Sequence, residues 1–267
     1  MITEQIFYTQ PYITELDATV LSIDSKGANG QVQLSATIFY PVGGGQPCDV
    51  GEILGGNGKL KVDSVSLRDN QIIHQGKLIG SFAVGENVRL QIKWSARHHA
   101  MRSHSAGHAV HEAIIALGET QIPVSANHGS KCYVQYEGTF TRDIREEVER
   151  RVNDLVVSNP PLFMRQSTFD EIRAKCKFIP AGLPTNKPLR TVQIGESGQI
   201  IPCGGVHVCR LGEVGRVIVG AIEYHQKTLS TFVNYRITRA DDTIRSMETS
   251  VATTMSSPQS SISGRES

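Results

Sequence analysis

Val88-Arg-Leu-Gln-Ile-Lys-Trp94 runs directly into Ser95-Ala-Arg-His-His-Ala-Met-Arg-Ser-His104-Ser-Ala-Gly-His108-Ala-Val-His-Glu-Ala-Ile-Ile-Ala-Leu117-Gly118. The first segment alternates apolar and polar residues, the period of a half-buried strand. From Ser95 the period turns helical, and Gly118 is a natural stop. On a helical projection Val110, Ala113, Ile114 and Leu117 form an apolar stripe. His104, His108 and His111 form a second stripe beside it, at the margin of the buried face.

Upstream of this junction the pattern is β. Val32, Leu34, Ala36 and Ile38 alternate, and turn signals (Gly43-Gly44-Gly45, Gly55-Gly56-Asn57-Gly58, Asp69-Asn70) divide residues 1–94 into short strands. Such a series suggests a small barrel or curled sheet. Downstream, Cys132, Val134 and Tyr136 alternate as a strand. A helix from Asp143 to Ser158 follows, ended by Asn159-Pro160-Pro161. Thr168 and Glu171 have the spacing of a capping box for a short helix reaching Cys176. Residues 189–194, 215–224 and 228–237 read as strands. The expected fold is α+β: a barrel unit over residues 1–94, an α/β unit with an antiparallel sheet over 95–240, and a Ser/Thr-rich tail over 241–267 read as disordered.

Bulk properties exclude several classes. Lys plus Arg number 27 against 26 Asp plus Glu in 267 residues, so no global charge drives binding to a polyanion. No apolar run approaches the ~20 residues of a bilayer span. The N-terminus lacks the basic and apolar regions of a leader. Five cysteines in no regular spacing suit a reducing, cytoplasmic setting, with no membrane partner.

Chemistry concentrates in two short motifs, His104-Ser-Ala-Gly-His108 and Cys203-Gly-Gly-Val-His207. Nine histidines in this length would give roughly 0.3 pairs at i,i+4 by chance, and five cysteines roughly 0.2 Cys-xxx-His spacings. Either motif alone is weak evidence, but both together are not. An i,i+4 pair puts two imidazoles on one helical face. The glycines after Cys203 permit a tight turn that folds Cys203 and His207 onto one ion. His104, His108, Cys203 and His207 make the complement of one tetrahedral Zn²⁺ per chain. The protease form, His-Glu-xx-His, needs a glutamate where this chain has Ser105, which argues against a peptidase. Ser105 instead offers a hydroxyl near the metal, or is an ordinary helix-surface serine. His111 reads as an edge-of-core histidine, and Cys209 as a small buried apolar residue rather than a ligand. Arg97, His98, His99 and Arg102 could face a phosphate or form a solvated face.

A third feature is Phe39-Tyr-Pro-Val-Gly-Gly-Gly-Gln-Pro-Cys-Asp-Val-Gly51. Gly43, Gly44 and Gly45 allow backbone N–H groups to approach a ligand, and Gln46 offers an amide donor and acceptor. No Gly-Lys-Ser/Thr follows, so it is not a Walker loop. A tight hairpin is the equal alternative.

With these motifs in hand, the chain resembles the freestanding alanyl-tRNA editing proteins of the AlaX type, which are related to the editing domain of alanyl-tRNA synthetase. The resemblance spans most of residues 8–237. It rests on the Phe39–Pro47 glycine motif, the Arg97–His108 stretch, Arg150-Arg-Val-Asn153, and Arg190 through Val208 with its Cys-Gly-Gly loop. It implies a small β-barrel followed by a zinc-dependent editing unit, in the medium-length class. It also implies zinc on His104, His108, Cys203 and His207, and the glycine motif with Gln46 over the site. The implied reaction is hydrolysis of the ester of mischarged tRNA(Ala), seryl-tRNA(Ala) first and glycyl-tRNA(Ala) next, acting on the acceptor end in the cytoplasm. Gln46 and Ser105 are the expected catalytic groups. Gly43, Gly44, Gly45, Arg97, Arg102 and Arg190 are expected to meet substrate, with Lys131 and Lys187 as further phosphate contacts. Four protein ligands leave no vacancy in a tetrahedral shell, so the metal must expand, exchange a ligand, or position substrate. The chain departs from the family pattern at Val206, where a threonine is usual, and at Ala109-Val110, where leucines are. The alternative from another class is a zinc-stabilised tRNA-binding module that hydrolyses nothing.

Overall fold

A computed structural model describes residues 2–179 and 183–238. The expected tail over 241–267, and the end of the unit drawn to residue 240, lie outside the described residues.

The chain opens with β1 (Glu4–Gln5) and a one-turn helix α1 (Ile6–Thr9), then β2 (Glu15–Lys26), β3 (Asn29–Leu34), β4 (Ala36–Thr37), β5 (Gly51–Leu54), β6 (Gly58–Arg68), β7 (Gln71–Gly80) and β8 (Asn87–Ile92). Six of these close a barrel in the order β2-β3-β7-β6-β5-β8, every seam antiparallel. Closure removes the exposed sheet edges that an open sheet of short strands would carry. Val32, Leu34 and Leu90, which the alternation marks, are fully buried, as are Ile53, Leu60 and Ile72. At the β6–β7 turn, Asp69 and Asn70 take φ of 48° and 62°, the left-handed pair that a two-residue hairpin needs. The alternation from Val32 to Ile38 is broken at Ser35, after which the two-residue β4 pairs in parallel with β1.

The second half begins with α2 (Trp94–Ala116) and continues through β9 (Pro123–Asn127), β10 (Cys132–Glu137), α3 (Arg145–Ser158), β11 (Leu162–Ser167), α4 (Phe169–Lys175), β12 (Leu189–Ile194), β13 (Ile201–Pro202), a 3₁₀ turn (Leu211–Val214), β14 (Val217–His225) and β15 (Ser230–Ile237). β14-β15-β10-β9 form one antiparallel sheet and β11-β12-β13 another. The capping box is present: Thr168 accepts from the Glu171 N–H, and Glu171 returns to the Thr168 N–H.

The helix α2 departs from a simple amphipathic reading. It packs against α3, the 3₁₀ turn, β10 and β15, so its middle turns are buried nearly all round, polar side chains included. Buried polar groups need partners. Those partners, drawn from distant parts of the chain, define the site. No described helix is long and apolar enough to cross a membrane.

Candidate metal centre and its cavity

His104 and His108 stand one turn apart on α2, their rings stacked at 5.2 Å. The loop after β13 brings Cys203 and His207 against them. One donor atom from each of His104, His108, Cys203 and His207 lies within 4.8 Å of the others. Cys203 Sγ is 3.4 Å from His104 Nε2 and 3.3 Å from His207 Nε2. His108 Nε2 is buried with no hydrogen-bond partner, which leaves that nitrogen available to a metal.

The outer nitrogens fix how the rings face. Gln46 Oε1 accepts the Val206 N–H at 3.1 Å, which sets the amide's orientation, and the same oxygen is 2.9 Å from His104 Nδ1. His104 therefore carries its proton on Nδ1 and turns a bare Nε2 toward the cluster. Ser105 Oγ accepts the Val208 N–H at 3.2 Å and lies 3.3 Å from His207 Nδ1, which holds the His207 ring in place. Partners of this kind behind ligating imidazoles set tautomer and ring angle. The close fit also explains Gly205, where a Cβ would stand 2.1 Å from His104 Cε1.

Burial suppresses charge throughout the cluster. It pushes His108 down to about 3, and holds His104 and His207 well below the ordinary imidazole value, with the neighbouring imidazoles and Arg190 adding to the effect. It pushes the Cys203 thiol up to about 11, against the lowering effect of the Gly205 N–H and Arg190. Three neutral imidazoles, plus a thiol that ionises only beside a cation, suit a borderline-soft dication such as Zn²⁺. The residues fit the metal.

Beside the cluster lies a cavity of about 470 Å³, in the range of small-molecule sites. His104, His108, Cys203 and His128 form its inner wall, and Val124 and Phe178 are among its apolar residues. Gly44 and Gly45 line it too, at φ of 56° and 75°. Gly43 and Gln46 close a tight turn through N–H···O bonds of 3.2 and 2.9 Å. The glycine segment is thus both a hairpin and a cavity wall.

Several expected roles change. Gln46 and Ser105, read as catalytic, are buried behind His104 and His207 and do not line the cavity. Arg97 and Arg102, read as substrate contacts, cannot reach a phosphate. Arg97 is buried and paired with Asp49 (Nε to Oδ1 2.9 Å), with Pro11 and Ile38 carbonyls taking its other nitrogens. Arg102 donates to the Glu213, Val214 and Thr238 carbonyls. Cys209 is exposed rather than buried, and stands outside the cluster. Arg190 stays at the site: its guanidinium lies 4.4 Å over the Tyr8 ring and donates to the Gly205 carbonyl. Lys131 and Lys187 are exposed. His111 is buried, 3.0 Å from the Tyr136 hydroxyl.

Two residues carried no usable sequence signal. Tyr8, from α1, donates to the Gly204 carbonyl at 2.9 Å and pins the Cys203 loop. His128 stacks on His104 with centroids 4.0 Å apart. A lone histidine between Asn127 and Gly129 has no ligand spacing, and only its place in a polar turn just after a strand could have drawn notice.

Comparison with known proteins relates the chain to alanyl-tRNA editing proteins and alanine–tRNA ligases. The tRNA synthetases class II (A) family matches residues 9–96, which is the barrel and the strand leading to α2. Over 233 residues the chain is 29% identical to the alanyl-tRNA editing protein AlaX-L of Pyrococcus horikoshii, covering 85% of this chain and 56% of that protein. It is 32% identical over 226 residues to an alanine–tRNA ligase of Halobacterium salinarum (80% of this chain, 24% of the ligase). It is 30% identical over 246 residues to that of Natronomonas pharaonis (86% and 25%). The chain is therefore a relative of the AlaX-type alanyl-tRNA editing proteins and of alanine–tRNA ligases. It spans about half the length of AlaX-L and about a quarter of the ligases.

Proposed function

We propose that this chain is a zinc-dependent deacylase that hydrolyses the ester of mischarged tRNA(Ala) in trans, seryl-tRNA(Ala) first and glycyl-tRNA(Ala) next. The observation that carries the reading is the buried His₃Cys donor set opening onto a cavity of about 470 Å³, in a relative of alanyl-tRNA editing proteins. His104, His108, Cys203 and His207 hold one Zn²⁺, which when bound supplies Lewis acidity toward an ester.

The remaining work belongs to the protein. Gln46 holds His104 in the tautomer that turns its bare Nε2 inward, and Ser105 holds the angle of the His207 ring. The Gly44-Gly45 backbone lets the terminal ribose and its aminoacyl group come close to the cluster. The apolar wall, with Val124 and Phe178, limits water to what the reaction needs. Arg190, partly buried beside the Cys203 loop, and Lys177, which lines the cavity, are the cations offered to an incoming phosphate. Residues 1–94 act as the barrel unit and 95–240 as the editing unit, in the cytoplasm, where five unpaired cysteines are at home.

One observation favours a second reading. Four protein donors already complete a tetrahedral shell, as in a zinc-stabilised tRNA-binding module without turnover. The test is deacylation of tRNA(Ala) charged with serine, glycine or alanine, by wild type and Cys203→Ala. Turnover of the seryl and glycyl forms, lost in the variant, supports the deacylase. Tight tRNA binding with no turnover of any form supports the module.

A further inference from the structure

His128 is not among the four clustered donors, yet it shares the inner wall of the cavity with them. It follows β9, its N–H donating to the Gly45 carbonyl at 2.8 Å, and its ring lies nearly parallel to His104 at an angle of 19°. Its proton can be located. Tyr235 donates its hydroxyl hydrogen to the Ser103 carbonyl at 3.0 Å, so the same oxygen, 2.6 Å from His128 Nδ1, must accept there. A hydroxyl has one hydrogen to give. His128 is thus the Nδ1–H tautomer, and Nε2 is a bare acceptor with no hydrogen-bonding partner among the described residues.

Gly107 makes room for this arrangement. A Cβ there would lie 2.6 Å from His128 Cε1 and 2.7 Å from the Tyr235 hydroxyl. Any side chain at position 107 would displace the ring from the wall, so the glycine and the histidine go together. Lys177, its ammonium over the Phe178 ring, and Gln199 also line the cavity. Ser125 Oγ donates to Gln135 Oε1. His111 stands further along α2 against Tyr136 and Phe178 and makes no ring contact with the cluster.

Resting on the deacylase reading, we propose that His128 is the specificity-determining residue of this site: its Nε2 accepts the side-chain hydroxyl hydrogen of a seryl group. The ester and the amino group are common to serine, glycine and alanine; the hydroxyl is the one group that separates the first from the others. A fixed acceptor at the wall rewards the hydroxyl and, faced with a methyl, loses its hydrogen bond to water with nothing in return.

The test uses the zinc-loaded full chain and non-hydrolysable amide analogues, 3′-seryl- and 3′-alanyl-amino adenosine, with affinities read by calorimetry. Wild type is expected to favour the seryl analogue by about tenfold or more. His128→Phe, which keeps an aromatic ring and removes the acceptor, should bring that ratio to near one, while His128→Gln, whose amide oxygen can accept, keeps part of it. Zinc content and melting temperature of both variants should match wild type. A wild-type preference that survives in His128→Phe overturns the inference and leaves the deacylase reading standing. Equal weakening of both analogues also overturns it, because the ring would then be shaping the cavity rather than reading the hydroxyl. If wild type binds neither analogue and deacylates no form of tRNA(Ala), the reading of the site itself fails and this inference with it.

Discussion

The barrel and the half built on α2 are held together by different physics. The barrel's interior is apolar side chains from six strands whose backbone groups are paired in a closed ring. Its buried titratable group, His74, has partners on both ring nitrogens, Thr37 Oγ1 at 2.7 Å and the Val32 carbonyl at 3.0 Å. The other half buries a cluster of imidazoles and a thiol, and leaves His108 Nε2 without a partner. One region is complete by itself; the other is completed by what it binds. Arg97–Asp49 is the rivet between them, joining the first turn of α2 to the segment before β5, with no solvent at either charge.

The largest way to break this contrast is Cys203→Ala. Deacylation should fall by roughly 1,000-fold and bound zinc from one per chain to near none, while hydrogen exchange in β2–β8 stays at wild-type rates. Colorimetric metal analysis and exchange on the same sample check both halves. Asp49→Ala comes next. Leaving the Arg97 charge buried and unpaired should cost about 3–5 kcal/mol, seen in urea denaturation as a lowered midpoint, and it should loosen both regions together because it lies between them.

His74 sharpens the contrast on the barrel side. Burial lowers it to about 4 from an ordinary 6.5, so below pH 6.5 the unfolded chain takes up a proton that the folded barrel refuses. The stabilisation is present above pH 6.5 and is lost as pH falls toward 4, about 3 kcal/mol over that window. In His74→Gln, the fall in unfolding free energy between pH 6.5 and 4 should be shallower by that amount. The smallest expected effect is Tyr8→Phe, which deletes the hydroxyl held by the Gly204 carbonyl. About 1 kcal/mol should appear as a several-fold drop in zinc affinity, with barrel stability unmoved.

The same contrast governs what the sequence made legible. Alternation such as Val88, Leu90 and Ile92 reports burial on one face directly, and Asp69-Asn70 reports a left-handed turn, because these are local causes with local effects. The pairing of His104 with His108 and of Cys203 with His207 was likewise visible as spacing. What spacing could not show was which side chains stand in front of the cluster and which behind. Gln46 and Ser105 have the chemistry of catalytic groups, but the Gln46 Oε1 and Ser105 Oγ atoms are engaged by Val206, Val208 and the histidine rings. Arg97 and Arg102 looked like surface charge. Their partners lie 48 and more than 110 residues away, and only the packing of α2 on all sides turns them inward. His128 is the converse, a solitary residue made important by a glycine at position 107 and a tyrosine at position 235.

The most direct measurement strips the metal from the full chain and adds zinc back in steps while following deacylation of seryl-tRNA(Ala). Activity should be absent at the start, rise in proportion to zinc, and level off at one ion per chain, with no such response in Cys203→Ala. Full turnover by the stripped protein, or an unchanged zinc response in the variant, would contradict the account.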